Sequence, residues 1–230
     1  MLTQARLPPP YVLVGDSFGS YNMRLYAHRF PDKVVGLVLT DGLHEDAMLT
    51  LPWSLQVLKG FFASGFVMSV LGASLGLIRV LRLVGVFGWL KPELRRFPQP
   101  ALRYVTRSFC RPKHWLTMTQ EILGLDASAR QVRVVQDLRD LPLVSIKAQS
   151  FFLPSGLTRL MPLAAANRVR DRMHEQLMQL SSHCVQLTAD RSGHFVWVDQ
   201  PEVIVQAVRQ VLAMGQADRH RDATNDEPAW

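Results

Sequence analysis

Cysteine is scarce in this sequence: only Cys110 and Cys184 occur in 230 residues, far apart and in no CxxC or other metal-ligand spacing. That excludes a disulfide-stapled scaffold and a cysteine-based zinc module. Two free, buried thiols in a reducing compartment are expected, with no metal and no cofactor. The opening residues, MLTQARLPPPYVLVG, lack a basic stretch followed by an apolar core and a small-residue cleavage site, so no signal peptide and a cytoplasmic location are expected. Long blocks of one charge are missing too. The 26 basic and 19 acidic residues leave a net charge of +7, but the basic ones are scattered and no nucleic-acid-binding motif accompanies them. The densest basic group, Arg79, Arg82, Lys91, Arg95 and Arg96, flanks a very apolar stretch. A basic rim of that kind suits an anionic membrane surface or an acidic substrate at least as well as a phosphate backbone, and no nucleic-acid partner is expected. Internal repeats are absent. With 48% hydrophobic and 20% charged residues, the chain has the composition of a folded protein with a real core.

The first structured run is Tyr11-Val12-Leu13-Val14, a short apolar, β-branched segment after three prolines, which reads as a buried strand. It leads directly into Gly15-Asp16-Ser17-Phe18-Gly19. A helical pattern with Tyr21, Leu25 and Tyr26 on one face follows and stops at Phe30-Pro31-Asp32. Gly36 to Thr40 is the next buried strand, ending at Asp41. Strand, helix and strand in about 30 residues make a right-handed unit with parallel strands. From 47 to 139 the pattern is helical, apolar from Gly60 to Leu90 and polar-amphipathic from Pro92 to Arg139. Strand character returns at Leu141–Ile146 and again at Cys184–Leu187, with an amphipathic helix over Ala165–Leu180 between them. Asp199-Gln200-Pro201-Glu202 starts a last helix, with helical spacing from Val203 to Leu212. A polar, frayed tail is expected over 215–230.

Gly15 to Gly19 matches G-x-S-x-G in the setting the chemistry requires, a strand before and a helix after. A serine at such a sharp turn projects above the sheet at a helix N-terminus, where the dipole favours developing negative charge. The strained turn calls for small residues at both glycine positions. The backbone N–H of Phe18 would supply half of an oxyanion hole. A serine nucleophile needs a base, and chain order places it late. His194, in Ser192-Gly193-His194-Phe195 between the last strand and the last helix, is in that place. His28 falls on the first helix and His220 in the tail. His114, His174 and His183 fall in helical or pre-strand positions, and His44 reads as a residue that orients its loop.

The blocks Tyr11–Ser20, Arg24–Asp46 and Ser192–Val203 resemble the α/β-hydrolase superfamily, in particular bacterial serine hydrolases with a YVLVGHSFGG block and a late SGHF…DQPE block. Asp16 stands where the family has a histidine, and Ser20 where it has a second glycine. The resemblance implies an α/β fold whose mostly parallel sheet has helices on both faces. Residues 1–46 and 140–214 would form the core, and 47–139 an inserted helical cap. It also implies a triad whose acid most often follows the strand at Leu143–Ile146. No Asp or Glu occurs there before Asp171. The family's other placement is the end of the strand beside the nucleophile strand, and Asp41 sits there; Glu45 and Asp46 are the fallback candidates for the acid and read rather as a helix-start pair. The implied activity is cleavage of a small hydrophobic ester or related acyl substrate by Ser17, His194 and Asp41. Acyl transfer, cofactor-free haloperoxidase-like chemistry, and an inactive fragment or membrane-associated binding protein are the alternatives. Epoxide hydrolase and haloalkane dehalogenase chemistries are disfavoured, because those relatives need aspartate where Ser17 stands.

Phe61 to Ile78 carries no charge over 18 residues, near the length of a membrane span of about 20. Interspersed glycines and serines dilute its hydrophobicity, so a cap helix over the site is the expectation, with peripheral membrane contact as a further reading. Trp53, Phe61, Phe62, Phe66 and Trp89 would line a pocket or fill a core. Only ten residues precede Tyr11, so this is expected to be the C-terminal part of the fold, without the earlier strands and the second oxyanion donor. Losing one such donor costs roughly 10²–10³ in rate. The chain alone is therefore expected to fold poorly or act weakly.

Overall fold

The computed structural model describes residues 4–90, 94, 96–151 and 162–225. Strand β1 (Tyr11–Asp16) leads into helix α1 (Gly19–Arg29), and β2 (Val34–Thr40) follows after a 3-10 turn at Pro31–Lys33. Next comes a helical series: α2 (Glu45–Leu49), α3 (Trp53–Ser74), α4 (Leu77–Leu83), α5 (Val86–Leu90), α6 (Gln99–Phe109) and α7 (Pro112–Val132). The chain returns to the sheet with β3 (Leu143–Ala148), α8 (Leu163–Met178), β4 (Cys184–Ala189), α9 (Val196–Asp199) and α10 (Pro201–Asn225). The sheet order is β1-β2-β3-β4, and each neighbouring pair is parallel. This is the expected α/β architecture, with β3 lying two residues later than the Leu141–Ile146 run and β4 ending two residues beyond Leu187.

Alternation along β2 explains why helices cover both faces. Leu37 and Leu39 point into one core with Tyr21 of α1, Val132 of α7 and Leu177 of α8. Val38, one residue out of phase, points the other way, against Val203, Ala207 and Val211 of α10. At Gly36 a Cβ would lie 2.2 Å from Val211, so α10 crosses where β2 has no side chain. A separate cluster, Ala73, Ile78, Leu94, Phe109 and Cys110, holds the helical series together. The expected frayed tail is corrected in part: α10 continues through Gly215 to Asn225, with Val211 on the sheet and Met214 packed beside that core. Residues 226–230 lie outside the described part. Cys110 is buried and Cys184 half-buried, both unbridged, and burial pushes the Cys184 thiol up to about 12.

One ion pair fixes the region between β2 and the helices. Arg24 of α1 is fully buried and forms a fork on Glu45, at 2.7 and 3.0 Å, while its Nη2 also donates to the Val135 carbonyl at 3.1 Å. Glu45 does begin a helix, as expected, but its carboxylate faces inward. A bidentate pair is the geometry in which a buried guanidinium keeps most of its hydrogen bonds.

Candidate active site

The parallel strands bring the ends of β1 and β2 to one edge of the sheet, in register with Asp16 opposite Thr40. Ser17 follows at φ +50°, in the left-handed region, and its N–H donates to the Thr40 carbonyl at 2.9 Å. That bond pins the turn to β2 and turns the hydroxyl outward. The two glycines of the motif differ in what they do. A Cβ on Gly15 would meet the Gly19 carbonyl oxygen at 2.8 Å and Met23 at 2.9 Å, so the start of α1 can approach only a glycine. A Cβ on Gly19 would meet nothing within 4 Å, which corrects the expectation that both positions demand a small residue. Ser20 also has a local reason. Its buried hydroxyl accepts from Leu43 N–H at 3.0 Å and donates to Leu43 C=O at 3.2 Å, tying α1 to the loop after β2.

Asp41 is the residue after β2, also at positive φ (+41°), and its N–H donates to Ile146 of β3 at 2.8 Å. Its carboxylate is buried and accepts three hydrogen bonds. His194 Nδ1–H donates to Oδ2 at 2.6 Å, His174 Nε2–H to Oδ1 at 3.2 Å, and the Ala148 N–H to Oδ1 at 3.3 Å. Burial alone would raise this acid. The hydrogen bonds and charges of His174 and His194 outweigh it and hold the carboxyl well below the usual carboxylate range. An ionised carboxylate only accepts, so His194 carries its proton on Nδ1 and presents Nε2 to the Ser17 hydroxyl, 2.8 Å away.

The loop carrying His194 is held at both ends. Gln149, just past β3, donates to the Ala189 and Ser192 carbonyls, and Asp199 accepts from Gly193 N–H at 3.0 Å. Asp199 is paired in turn with Arg96, and the Gln200 side chain accepts from Arg191 N–H at 2.7 Å. The Phe151 ring lies nearly parallel to the imidazole, at 4.7 Å. The late sequence block therefore includes the parts that hold the histidine as well as the histidine.

Ser17, Asp41 and His194 are thus brought together as expected, and the Phe18 N–H beside them has no acceptor among the described residues. His174 is not legible as a site residue in the sequence. Its pattern is that of a helical histidine away from the sheet edge, but α8 carries it into the core, 1% exposed, between Asp41 and the Ser145 hydroxyl at 3.0 Å. Asp16, in sequence only a departure from the family's histidine, lines the site with its carboxyl, and burial pushes it up to about 6, with His194 opposing and Asp41 adding to the rise.

Above these groups lies a cavity of about 520 Å³, within the 300–1,000 Å³ range of small-molecule sites. Leu55, Leu58, Phe62 and Phe66 of α3 face Met118 and Ile122 of α7 across it. Trp53 and Phe61 point to solvent instead, and the Trp89 side chain lies outside the described residues. Arg170, buried in the wall, donates to the Gln149 carbonyl at 2.9 Å, while its Nε and Nη1 have no partner among the described residues. His44 caps α2 by accepting from Asp46 N–H at 3.4 Å, and no metal-ligand cluster occurs among the described residues.

No family model matches the sequence, and no curated protein is significantly similar to it. Solved structures do match. A candidate acyltransferase from Salmonella enterica superposes with a TM-score of 0.61 at 14% identity, over 93% of this chain and 67% of the other. A candidate α/β hydrolase from Nostoc sp. PCC 7120 gives 0.60 at 16% identity, over 91% and 69%. The haloalkane dehalogenase DatA from Agrobacterium tumefaciens gives 0.53 at 17% identity, over 90% and 68%. At these identities the likeness shows the fold: the described chain carries the C-terminal part of an α/β-hydrolase fold and spans about two thirds of each neighbour's length.

Proposed function

We propose that this chain bears the reacting groups of a serine hydrolase acting on a carboxylic ester or related acyl bond with an apolar acyl part. The observation that carries this reading is the hydrogen-bonded relay Ser17 Oγ, His194 Nε2, His194 Nδ1, Asp41 Oδ2, at 2.8 and 2.6 Å, beneath an apolar cavity. Ser17 Oγ attacks the acyl carbon while its proton passes to His194 Nε2. The oxyanion forms beside the Phe18 N–H, a preorganised donor. Asp41 keeps the imidazole in the tautomer that accepts this proton and stabilises the imidazolium that results. His194 then protonates the departing alcohol, and the acyl group remains on Ser17. Water, deprotonated by His194, attacks the acyl-enzyme, and Ser17 recovers its proton as the carboxylic acid leaves.

Fluorophosphonate labelling of the full chain tests this. Covalent labelling is expected on the wild type and is expected to vanish in Ser17→Ala and fall steeply in His194→Ala. Labelling that survives Ser17→Ala would overturn the assignment of the nucleophile.

A further inference from the structure

Helix α3 is apolar on two opposite sides. On one, Leu55, Leu58, Phe62 and Phe66 line the cavity above Ser17, across from α7. On the other, Trp53, Val57, Phe61, Met68, Leu71 and Leu75 recur at steps of three, four or seven residues and form a single stripe along the helix and its end. This second stripe is open to solvent: Trp53 is 78% exposed, Phe61 69% and Leu75 85%. Leu77, Val80 and Leu83 of α4 and Val84 at its end are likewise exposed. A continuous apolar surface of this kind marks a contact with something apolar.

Charge identifies the partner. Between Asp46 and Glu93 the chain contains no acidic residue, whereas Lys59, Arg79, Arg82 and Lys91 are basic. Lys59 is committed to Asp126 on α7 at 2.7 Å. Arg79 and Arg82 are exposed on α4, beside the apolar stripe, and neither has an acidic partner among the described residues. In a two-fold contact, each copy would present the same acid-free surface to the other. An anionic membrane supplies both an apolar interior and negative headgroups. Trp53 at the helix start is amphipathic in the manner of residues that settle at a bilayer interface.

We propose that the outer face of α3 and α4 docks this protein onto the surface of an anionic lipid bilayer. Docking is peripheral. Although α3 has 22 residues, with a mean hydropathy of 1.5 over an 18-residue stretch, enough by length and composition to cross a bilayer, its inner face is held by the cavity wall and the Lys59–Asp126 pair. In this geometry α3 separates the lipid from the cavity, so acyl chains in the leaflet are the substrate class nearest the site. That last step rests on the serine-hydrolase reading; the docking itself does not.

Flotation of the full chain with phosphatidylcholine vesicles, with and without phosphatidylglycerol, is the test. Binding is expected to the anionic vesicles, weaker binding to the neutral ones, and release by alkaline carbonate. Phe61→Asp/Leu71→Asp is expected to stay in solution with an unchanged melting temperature, because both side chains point outward. Arg79→Ser and Arg82→Ser are each expected to weaken anionic partitioning by about fivefold. Ser17→Ala is expected to float like the wild type, so a failed hydrolase assignment and a failed docking assignment give different results. Flotation of Phe61→Asp/Leu71→Asp equal to wild type, resistance to carbonate, or a lipid-free dimer that this variant dissociates would each overturn the proposal.

Discussion

Asp41 is the most constrained residue of the site. Two histidines and a backbone N–H point at one buried carboxylate, and the residue accepts a left-handed backbone to receive them. His174 donates to the carboxylate oxygen that His194 does not use, so it sets the plane of the carboxylate and acts as a positioning residue. His174→Phe is expected to lower kcat on the order of ten- to hundredfold with little change in KM. Without that donor, burial raises the Asp41 carboxyl, so the acid limb of the pH–rate profile is expected to move to higher pH. His174→Gln, which keeps an N–H donor, is expected to restore part of both. A loss of activity with an unmoved acid limb would reduce His174 to a packing role.

Asp16 titrates in the opposite sense. Its carboxyl is pushed from an ordinary 3.8 up to about 6, so the unfolded chain releases this proton before the folded one does. Stability from this group is complete below about pH 4 and is lost as pH rises through about 6. Asp16→Asn is therefore expected to raise the melting temperature at pH 7 to 8, with the gain shrinking towards zero near pH 4. Thermal melts across that range check the sign.

At the scale of elements, the join between β2 and the helical series depends on Arg24 and Glu45. Removing one partner leaves an uncompensated buried charge, and Glu45→Ala is expected to destabilise the fold by about 3–5 kcal/mol. Replacing both together by apolar residues of similar volume is expected to cost much less, and denaturant unfolding of the single and double variants reads the difference. The sequence block that includes these two residues, Arg24–Asp46, thus has a structural reason as well as including Asp41, the partner of His194. The late block behaves alike, with Asp199 and Gln200 fastening the loop that presents His194.

At the scale of the whole molecule, the helical series has two apolar surfaces of different standing. One is closed against α7 and surrounds the cavity; the other is open. Period alone does not separate them, because both repeat at helical spacing. This is why Phe61 and Phe62, adjacent in sequence, part company: a step of 100° sends one to solvent and the other over the site. The sheet is similarly one-sided. β1 leads into Ser17 and, among the described residues, pairs with β2 alone, so its outer edge is open.

The sequence by itself determined the strand–turn–helix around Ser17, the parallel unit that follows, and the pairing of Ser17 with His194 and Asp41. These rest on local signals, apolar runs, glycine at a close approach and chain order along parallel strands, and for Asp41 on what the resemblance to the α/β-hydrolase superfamily implies. Tertiary structure alone decided which other groups face them. His174 lies 133 positions from Asp41, on a helix whose period identifies a buried face but not its neighbour across the sheet. Gly19 looked as necessary as Gly15 until the path of α1 showed that only Gly15 is crowded. The pattern recorded which residues avoid water. Only the packing recorded what each of them meets instead, and on the outer face of α3 it left them exposed.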